Sequence, residues 1–232
     1  MNIDVKKFDF RSEIILSSLS PSERELLLQA AEPLNFKKNS LIFFDGGIPT
    51  GIFIIKSGKA KIYKLGLDGK PQIFYIYKKD DLMGYHALLC NEKYEDSCEL
   101  IEDCELLFIS KAQFEEFMEE IPRLKLLLIQ NMSHEFGVLV NTITILAQKP
   151  LRDRLALYLL ILNEKYRVEK SDSIKIQLTR EDLANIIGTA RESLGRLLKE
   201  FNEDGLIKIE GRSIEVINTE ALQNIASSKY NY

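Results

Sequence analysis

The residues from Leu178 to Ile217, LTREDLANIIGTARESLGRLLKEFNEDGLIKIEGRSIEVI, restrict what this chain can fold into more than any other stretch. Their spacing predicts two short helices joined by a tight turn, then a small hairpin. Thr179 stands where an N-cap belongs, with Asp182 three residues on, and Leu183, Ala184, Ile186 and Ile187 supply one apolar side. Gly188 interrupts the run where a helix-turn-helix needs its turn. Thr189-Ala190-Arg191-Glu192 reads as a capping box opening the second helix. Along that helix Ala190, Leu194, Leu197 and Phe201 form the expected buried stripe, with Arg191, Glu192, Gly195, Arg196 and Lys199 on the other side. Gly205 suits the C-terminal cap. A strand at residues 174–178 leads in, and strands at 207–209 and 214–217 flank a Glu210-Gly211-Arg212-Ser213 turn with Arg212 at its tip.

The polar side of the second helix has a chemical reading. An arginine forks onto O6 and N7 of guanine, and a glutamate accepts from the amino group of cytosine. Arg191, Glu192 and Arg196 occupy the first two turns, from which a recognition helix reaches base edges, and Gly195 lets the backbone approach the groove. The competing reading is a solvated face, in which Glu192 is the capping acid and pairs with Arg196 four residues on. The helix-turn-helix spacing and the hairpin after it favour the groove.

The segments Thr179-Arg180-x-Asp182-Leu183-Ala184, Gly188-Thr189-x-Arg191-Glu192-Ser193, Gly195-Arg196-Leu197-Leu198 and Gly205-Leu206-Ile207 closely resemble the DNA-binding end of the Crp/Fnr family of bacterial regulators. The resemblance implies that Arg191, Glu192 and Arg196 read bases, with a GTG-containing half-site the first expectation. It implies phosphate contacts from Thr179, Arg180, Ser193, Arg212 and Ser213, with Thr189 and Lys199 beside them. The partners it implies are double-stranded DNA with a two-fold symmetric site, a second copy of the chain and RNA polymerase.

A chain of 232 residues with 45% hydrophobic side chains has enough material for one large domain or two modest ones. No apolar run approaches the length of a membrane span, and MNIDVKKFDF lacks a signal-peptide core, so a cytoplasmic, membrane-free protein is expected. Cys90, Cys98 and Cys104 are then expected to stay thiols. The net charge of −4 looks wrong for a nucleic-acid binder. DNA, however, meets the local surface, and Arg191, Arg196 and Lys199 outweigh Glu192 on that face, with Arg180 and Arg212 adding to it.

Upstream, residues 1–32 read as partly helical, with Ser20-Pro21-Ser22-Glu23 starting a helix, and serve as a lid on the next domain. Residues 33–109 change to short apolar runs divided by glycine turns, with Asp68-Gly69 a hairpin signal, and predict a β-barrel or jelly roll. Strands, long helix and helix-turn-helix come in the order of the same family. The expected fold is therefore α+β: a β-roll sensor at 1–109, a helical linker and dimerisation helix at 110–148, a winged helix at 149–222 and a loosely ordered tail from 223. Cyclic-nucleotide-binding members carry Gly-Glu on a short helix and Arg-Ser about eleven residues later. Here Tyr85 follows Gly84, Tyr94-Glu95-Asp96 precedes Ser97, and the chain has no arginine between Arg24 and Arg123. Leu139 and Val140 replace the polar positions that meet the purine. Cyclic AMP is therefore not expected to bind at micromolar concentration.

No cofactor is expected. The N-terminus has no cysteines for an iron–sulfur cluster. His86 and His134, the two histidines, could ligate haem as in some relatives, with packing or solvation the simpler reading. Cys98 and Cys104 lie among carboxylates, which favours structural thiols over an oxidant sensor. Phe74, Tyr75, Tyr77 and Tyr85 could line an apolar pocket or fill the core. An effector pocket, if one exists, is expected at Tyr85, His86, Tyr94, Phe136, Leu139 and Val140.

Ser110 is read as the cap of a helix carrying Phe114, Phe117 and Met118, and Pro122 opens a long helix to about Gln148. Leu128, Met132, Glu135, Leu139, Thr142 and Leu146 follow a coiled-coil seam, with Glu135 a misfit, and predict a parallel homodimer. Phe136 and Ile143 are expected to face the sensor. Lys149-Pro150 is the expected hinge, 163–173 a charged loop and 222–232 a loose end. Two other classes compete. A metal enzyme of the cupin type needs several histidines around one metal, which two distant histidines do not supply. A nucleotide-sensing module without a transcriptional role would leave residues 178–217 unexplained.

Overall fold

The computed structural model describes residues 3–167 and 174–227. The chain divides into two compact units, one formed by residues 10–136 and one by residues 1–9 together with 137–232.

The first unit is the expected β-roll. Helices α1 (Glu13–Ser18) and α2 (Pro21–Ala30) precede strands β1 (Glu32–Phe36), β2 (Leu41–Phe43), β3 (Gly51–Ser57), β4 (Ala60–Leu65), β5 (Pro71–Tyr77) and β6 (Leu82–Met83). Helix α3 (Tyr85–Cys90), strands β7 (Ser97–Leu100) and β8 (Cys104–Ser110) and helix α4 (Lys111–Glu120) complete it. The strands form two antiparallel four-stranded sheets, β1-β8-β3-β6 and β2-β7-β4-β5. Strand β3 lies between β8 and β6, so Gly51 to Ile55 are buried in succession rather than alternately. The predicted caps form: Ser20 and Ser110 each close a capping box, with Pro21 in the first turn of α2. Asp81 is fully buried, and the Ser12 hydroxyl and the Glu13 and Lys78 amides donate to it, offsetting its desolvation and pinning α1 to the β5–β6 connection.

Helix α5 (Pro122–Gln148) carries the first unit into the second. Its predicted seam is corrected. Leu128 is 2% exposed and lies in the core of the β-roll unit, and Met132 packs against that core. Leu124, Leu127, Asn131, Glu135, Val138, Thr142 and Ile145 are buried with Leu128 on the same side of the helix. Phe136, expected to face inward, is 70% exposed, and Ile143 is 65% exposed. The face is decided by Glu135, whose carboxylate is held by Tyr85 and so turns the neighbouring Phe136 outward.

The second unit contains α6 (Leu151–Lys165), β9 (Lys175–Gln177), α7 (Arg180–Ile187), α8 (Arg191–Glu203), β10 (Ile207–Glu210), β11 (Ser213–Val216) and α9 (Thr219–Ala226). Helix α6 is its centre, with every residue from Leu155 to Asn163 buried. The strands pair in the order β10-β11-β9. Three expectations change here. Residues 3–9 are not part of a lid on the β-roll: the Ile3 amide donates to Gln223, Asn141 donates to the Lys7 carbonyl, and Asp9 pairs with the buried Lys165 at 3.0 Å. The charged loop starts later than expected, because Lys165 and Tyr166 are buried and the Tyr166 hydroxyl donates to the Gln177 carbonyl; its residues 168–173 lie outside the described residues. The loose end shrinks too, because Asn218 caps α9, which buries Leu222 and Ala226; residues 228–232 lie outside the described residues.

Candidate nucleic-acid interface

The helix-turn-helix is built from local rules. The Thr179 hydroxyl accepts from the Asp182 amide at 2.9 Å and opens α7. Gly188 ends it at φ 68°, in the left-handed region, and the Thr189 amide returns to the Ala184 carbonyl. That bond corrects the predicted capping box. The Thr189 backbone belongs to the end of α7, so the N-cap of α8 is Ala190, with no side-chain cap bond. The buried stripe shifts accordingly to Leu194, Leu198 and Phe201; Leu197 is half-buried and Ala190 is exposed. Gly205 follows the end of α8 at φ 69°, and the Leu206 amide returns to the Phe201 carbonyl, closing the C-terminal cap as expected.

Arg191, Glu192, Gly195, Arg196 and Lys199 are all exposed. Among the described residues Arg191, Glu192 and Arg196 have no ion-pair partner, whereas Lys199 pairs with Glu203 at 3.7 Å. The solvated-face reading required Glu192 to serve as the capping acid and to pair with Arg196. It does neither. Two guanidinium groups and a carboxylate therefore project from the first two turns with their donors and acceptors open to solvent.

Helix α6 fixes this surface from behind, through residues that the sequence alone does not single out. Arg152 pairs with Glu200 of α8 and with Asp204 at its C-terminal cap and stacks over the Phe201 ring at 5.1 Å, while Arg154 donates to the Gly188 carbonyl in the turn. In sequence they look like two more charges on an amphipathic helix. The wing is braced along β10: Glu210, beside the turn, accepts from Lys175 and Lys208, which hold its carboxyl down at about 2, and Asn202 of α8 accepts from the Ile209 amide. Arg180, at the start of α7, donates to the carbonyls of Gly211 (3.3 Å) and Arg212 (3.4 Å) at the wing tip. Arg212 is exposed, and Thr189, Ser193 and Ser213 are half-buried around α8 and the wing.

The expected effector residues separate. A cavity of about 100 Å³ is lined by Phe43, His86, Cys90, Tyr94, Asp96 and neighbouring residues. Gly84, at φ 83°, starts α3 beside it, and a side chain there would press on the Tyr94 hydroxyl at 3.1 Å. Tyr94 stacks on Phe43 with ring centroids 4.3 Å apart and fills the space. Tyr85 is buried behind α3: its hydroxyl donates to Glu135, 3% exposed, as does Asn131, and His86 Nε2 lies 2.5 Å from the other carboxylate oxygen. The misfit in the seam is thus the anchor of a buried polar cluster. Phe136, Leu139 and Val140 are exposed on α5 and do not line the cavity, a correction that stems from the helix face set by Glu135.

Ligand pockets usually begin at about 300 Å³. A phosphodiester in this one would meet Glu92, Glu95 and Asp96 against a single lysine, Lys93, with no arginine, and burial already raises Asp96 to about 6. Tyr75 and Tyr77 are core, the former donating to the Phe10 carbonyl. Burial raises the thiols of Cys98 and, to about 11, Cys104. His134 accepts from Arg11 at 3.3 Å. Among the described residues no helix is long and apolar enough to cross a membrane.

Comparison with known proteins agrees with both units. Residues 33–121 match the cyclic nucleotide-binding domain family and residues 153–225 the Crp-like helix-turn-helix domain family. The chain is 34% identical to the anaerobic regulatory protein of Bacillus subtilis over 212 residues, 86% of this chain and 83% of the relative. It is 22% identical to the CRP-like cAMP-activated global transcriptional regulator of Mycobacterium tuberculosis H37Rv, over 90% of this chain and 94% of the relative. Its fold is similar to that of FixK2 from Bradyrhizobium japonicum, with a TM-score of 0.77 at 20% identity, covering 86% of this chain and 99% of that one. The chain belongs to the Crp/Fnr family of transcription regulators.

Proposed function

We propose that this regulator acts as a homodimer that reads a two-fold symmetric DNA site through Arg191, Glu192 and Arg196, with no cyclic nucleotide as effector. The observation that carries the reading is the open chemistry of α8: Arg191, Glu192 and Arg196, without ion-pair partners among the described residues, on a helix whose turn and far end are pinned to α6. Thr179, Thr189, Ser193, Arg212 and Ser213 supply contacts to the phosphates on either side of the groove, and Lys199 contributes less because it is paired. Dimerisation uses the exposed apolar row of α5, Leu126, Ile129, Phe136, Val140 and Ile143, whose steps of three, seven, four and three residues repeat as a coiled-coil seam does. A row of large apolar side chains in water calls for a cover, and a second copy of the same helix supplies one. Two recognition helices related by that axis would enter successive major grooves about 34 Å apart. The small volume and acidic lining of the Tyr94 cavity argue against cyclic AMP.

Selection of bound sequences from a random duplex pool tests the reading. The expected product is an inverted repeat with GTG-containing half-sites; an unenriched pool, or a single asymmetric site, overturns it. Titration calorimetry with cyclic AMP should give no heat of binding at micromolar concentration, and a tight isotherm would refute the effector part alone.

A further inference from the structure

Arg180 opens α7, yet its guanidinium ends on the wing, donating through Nη2 to the Gly211 carbonyl and through Nη1 to the Arg212 carbonyl. The planar fork of an arginine suits two successive acceptors in this way, whereas a lysine presents a single ammonium. The group is half-buried and, among the described residues, has no carboxylate partner, so two of its donors are committed to backbone. Lys175 and Lys208, through Glu210, and the β9–β11 pairing of Ser213 with Gln177 hold the strand ends on either side of the turn; the carbonyls of the turn itself, Gly211 and Arg212, are held from α7.

We infer that Arg180 is a positioning residue: it ties the wing tip to the first helix of the helix-turn-helix, so that Arg212 and Ser213 meet the DNA backbone in register with α8. This rests on the proposed reading of α8 and the wing as the DNA interface, and it replaces the direct phosphate contact that the family resemblance implies for Arg180. Arg212 delivers the charge, and Arg180 determines where it is delivered.

The test uses the full chain with Arg180→Ala, Arg180→Lys, Arg212→Ala and the Arg180→Ala/Arg212→Ala double variant. Amide exchange in the free protein is read first. Arg180→Ala and Arg180→Lys should both speed exchange at the wing while leaving the thermal midpoint and α8 protection near the parent's, and Arg212→Ala should not. Affinity for the selected duplex should then fall about tenfold for Arg180→Ala and for Arg212→Ala, and the double variant should match Arg180→Ala within about twofold, since the first change already misplaces the second group. Unchanged wing exchange overturns the inference. So do additive losses, or an Arg180→Lys protein that recovers parental affinity and salt slope, because a charge on phosphate survives that exchange and a two-carbonyl bridge does not. A parent chain that binds no duplex selectively defeats the underlying reading instead, and the inference with it.

Discussion

Arg191 and Arg196 present guanidinium forks to solvent without an ion-pair partner among the described residues, an arrangement suited to a bidentate acceptor such as a guanine edge. Arg191→Ala and Arg196→Ala should each lose about 1–3 kcal/mol of discrimination between the selected site and a scrambled duplex, while Arg212→Ala should weaken both duplexes alike. Binding isotherms on the two duplexes measure it, and equal losses for all three would dissolve the assigned roles. Buried single residues make separate predictions. Glu135→Leu leaves the Asn131 amide on the Tyr85 oxygen but strands the Tyr85 hydroxyl proton, at about 1–3 kcal/mol for a buried donor left without its acceptor, and should lower the melting temperature of the β-roll unit. Asp96 acts through pH. Its folded pKa of about 6 exceeds its ordinary 3.8, so folding favours the protonated carboxyl. The penalty is fully present above pH 6 and is relieved as pH falls toward 4. Asp96→Asn should therefore stabilise the protein by about 1–2 kcal/mol at pH 7 and flatten the gain between about pH 6 and 4, measured by denaturant titration at each pH.

At the scale of the element, α5 shows what a sequence discloses and what it hides. Its existence and both ends were legible, because Pro122 and Lys149-Pro150 act locally. So were the caps at Ser20, Ser110 and Thr179, each decided within four residues. Its buried face was not legible. Two heptad rows run along this helix, one ending in the core through Leu128 and one facing solvent through Phe136, and the choice rests on Tyr85, distant in sequence. The start of α8 slipped by one residue for a related reason, since Thr189 looks like a cap until its amide is claimed by the end of α7. The exposed polar face of Arg191, Glu192 and Arg196 is unaffected by the slip because it depends on spacing within α8 alone. The two rows of α5 make opposite predictions. Phe136→Glu with Ile143→Glu should leave the thermal midpoint of the monomer unchanged and shift sedimentation from dimer to monomer, whereas Leu128→Ala should cost about 2–5 kcal/mol of stability through a cavity in the β-roll core.

For the whole molecule, the chain's order and its folding units disagree. Residues 3–9 come first, yet they pack with α6 and α9, which come after the entire β-roll in sequence. Nothing in MNIDVKKFDF announces this, since a short segment of mixed polarity is too brief to show where it packs and its place is decided by a partner far along the chain, Lys165. That lysine is 6% exposed, and taking an ammonium out of water is costly unless an anion lies beside it. Asp9 supplies the anion from the far end of the chain. The winged-helix unit therefore depends on residues that a truncation at the β-roll boundary would discard. Asp9→Ala removes the carboxylate beside the buried Lys165 ammonium and should destabilise that unit by about 3–5 kcal/mol, with faster amide exchange in α6 and little change in the β-roll strands. Adding Lys165→Met to Asp9→Ala removes the buried ammonium as well and should recover most of the loss. If Asp9→Ala alone leaves α6 protection untouched, the N-terminal segment is only laid on the surface and the unit stands without it.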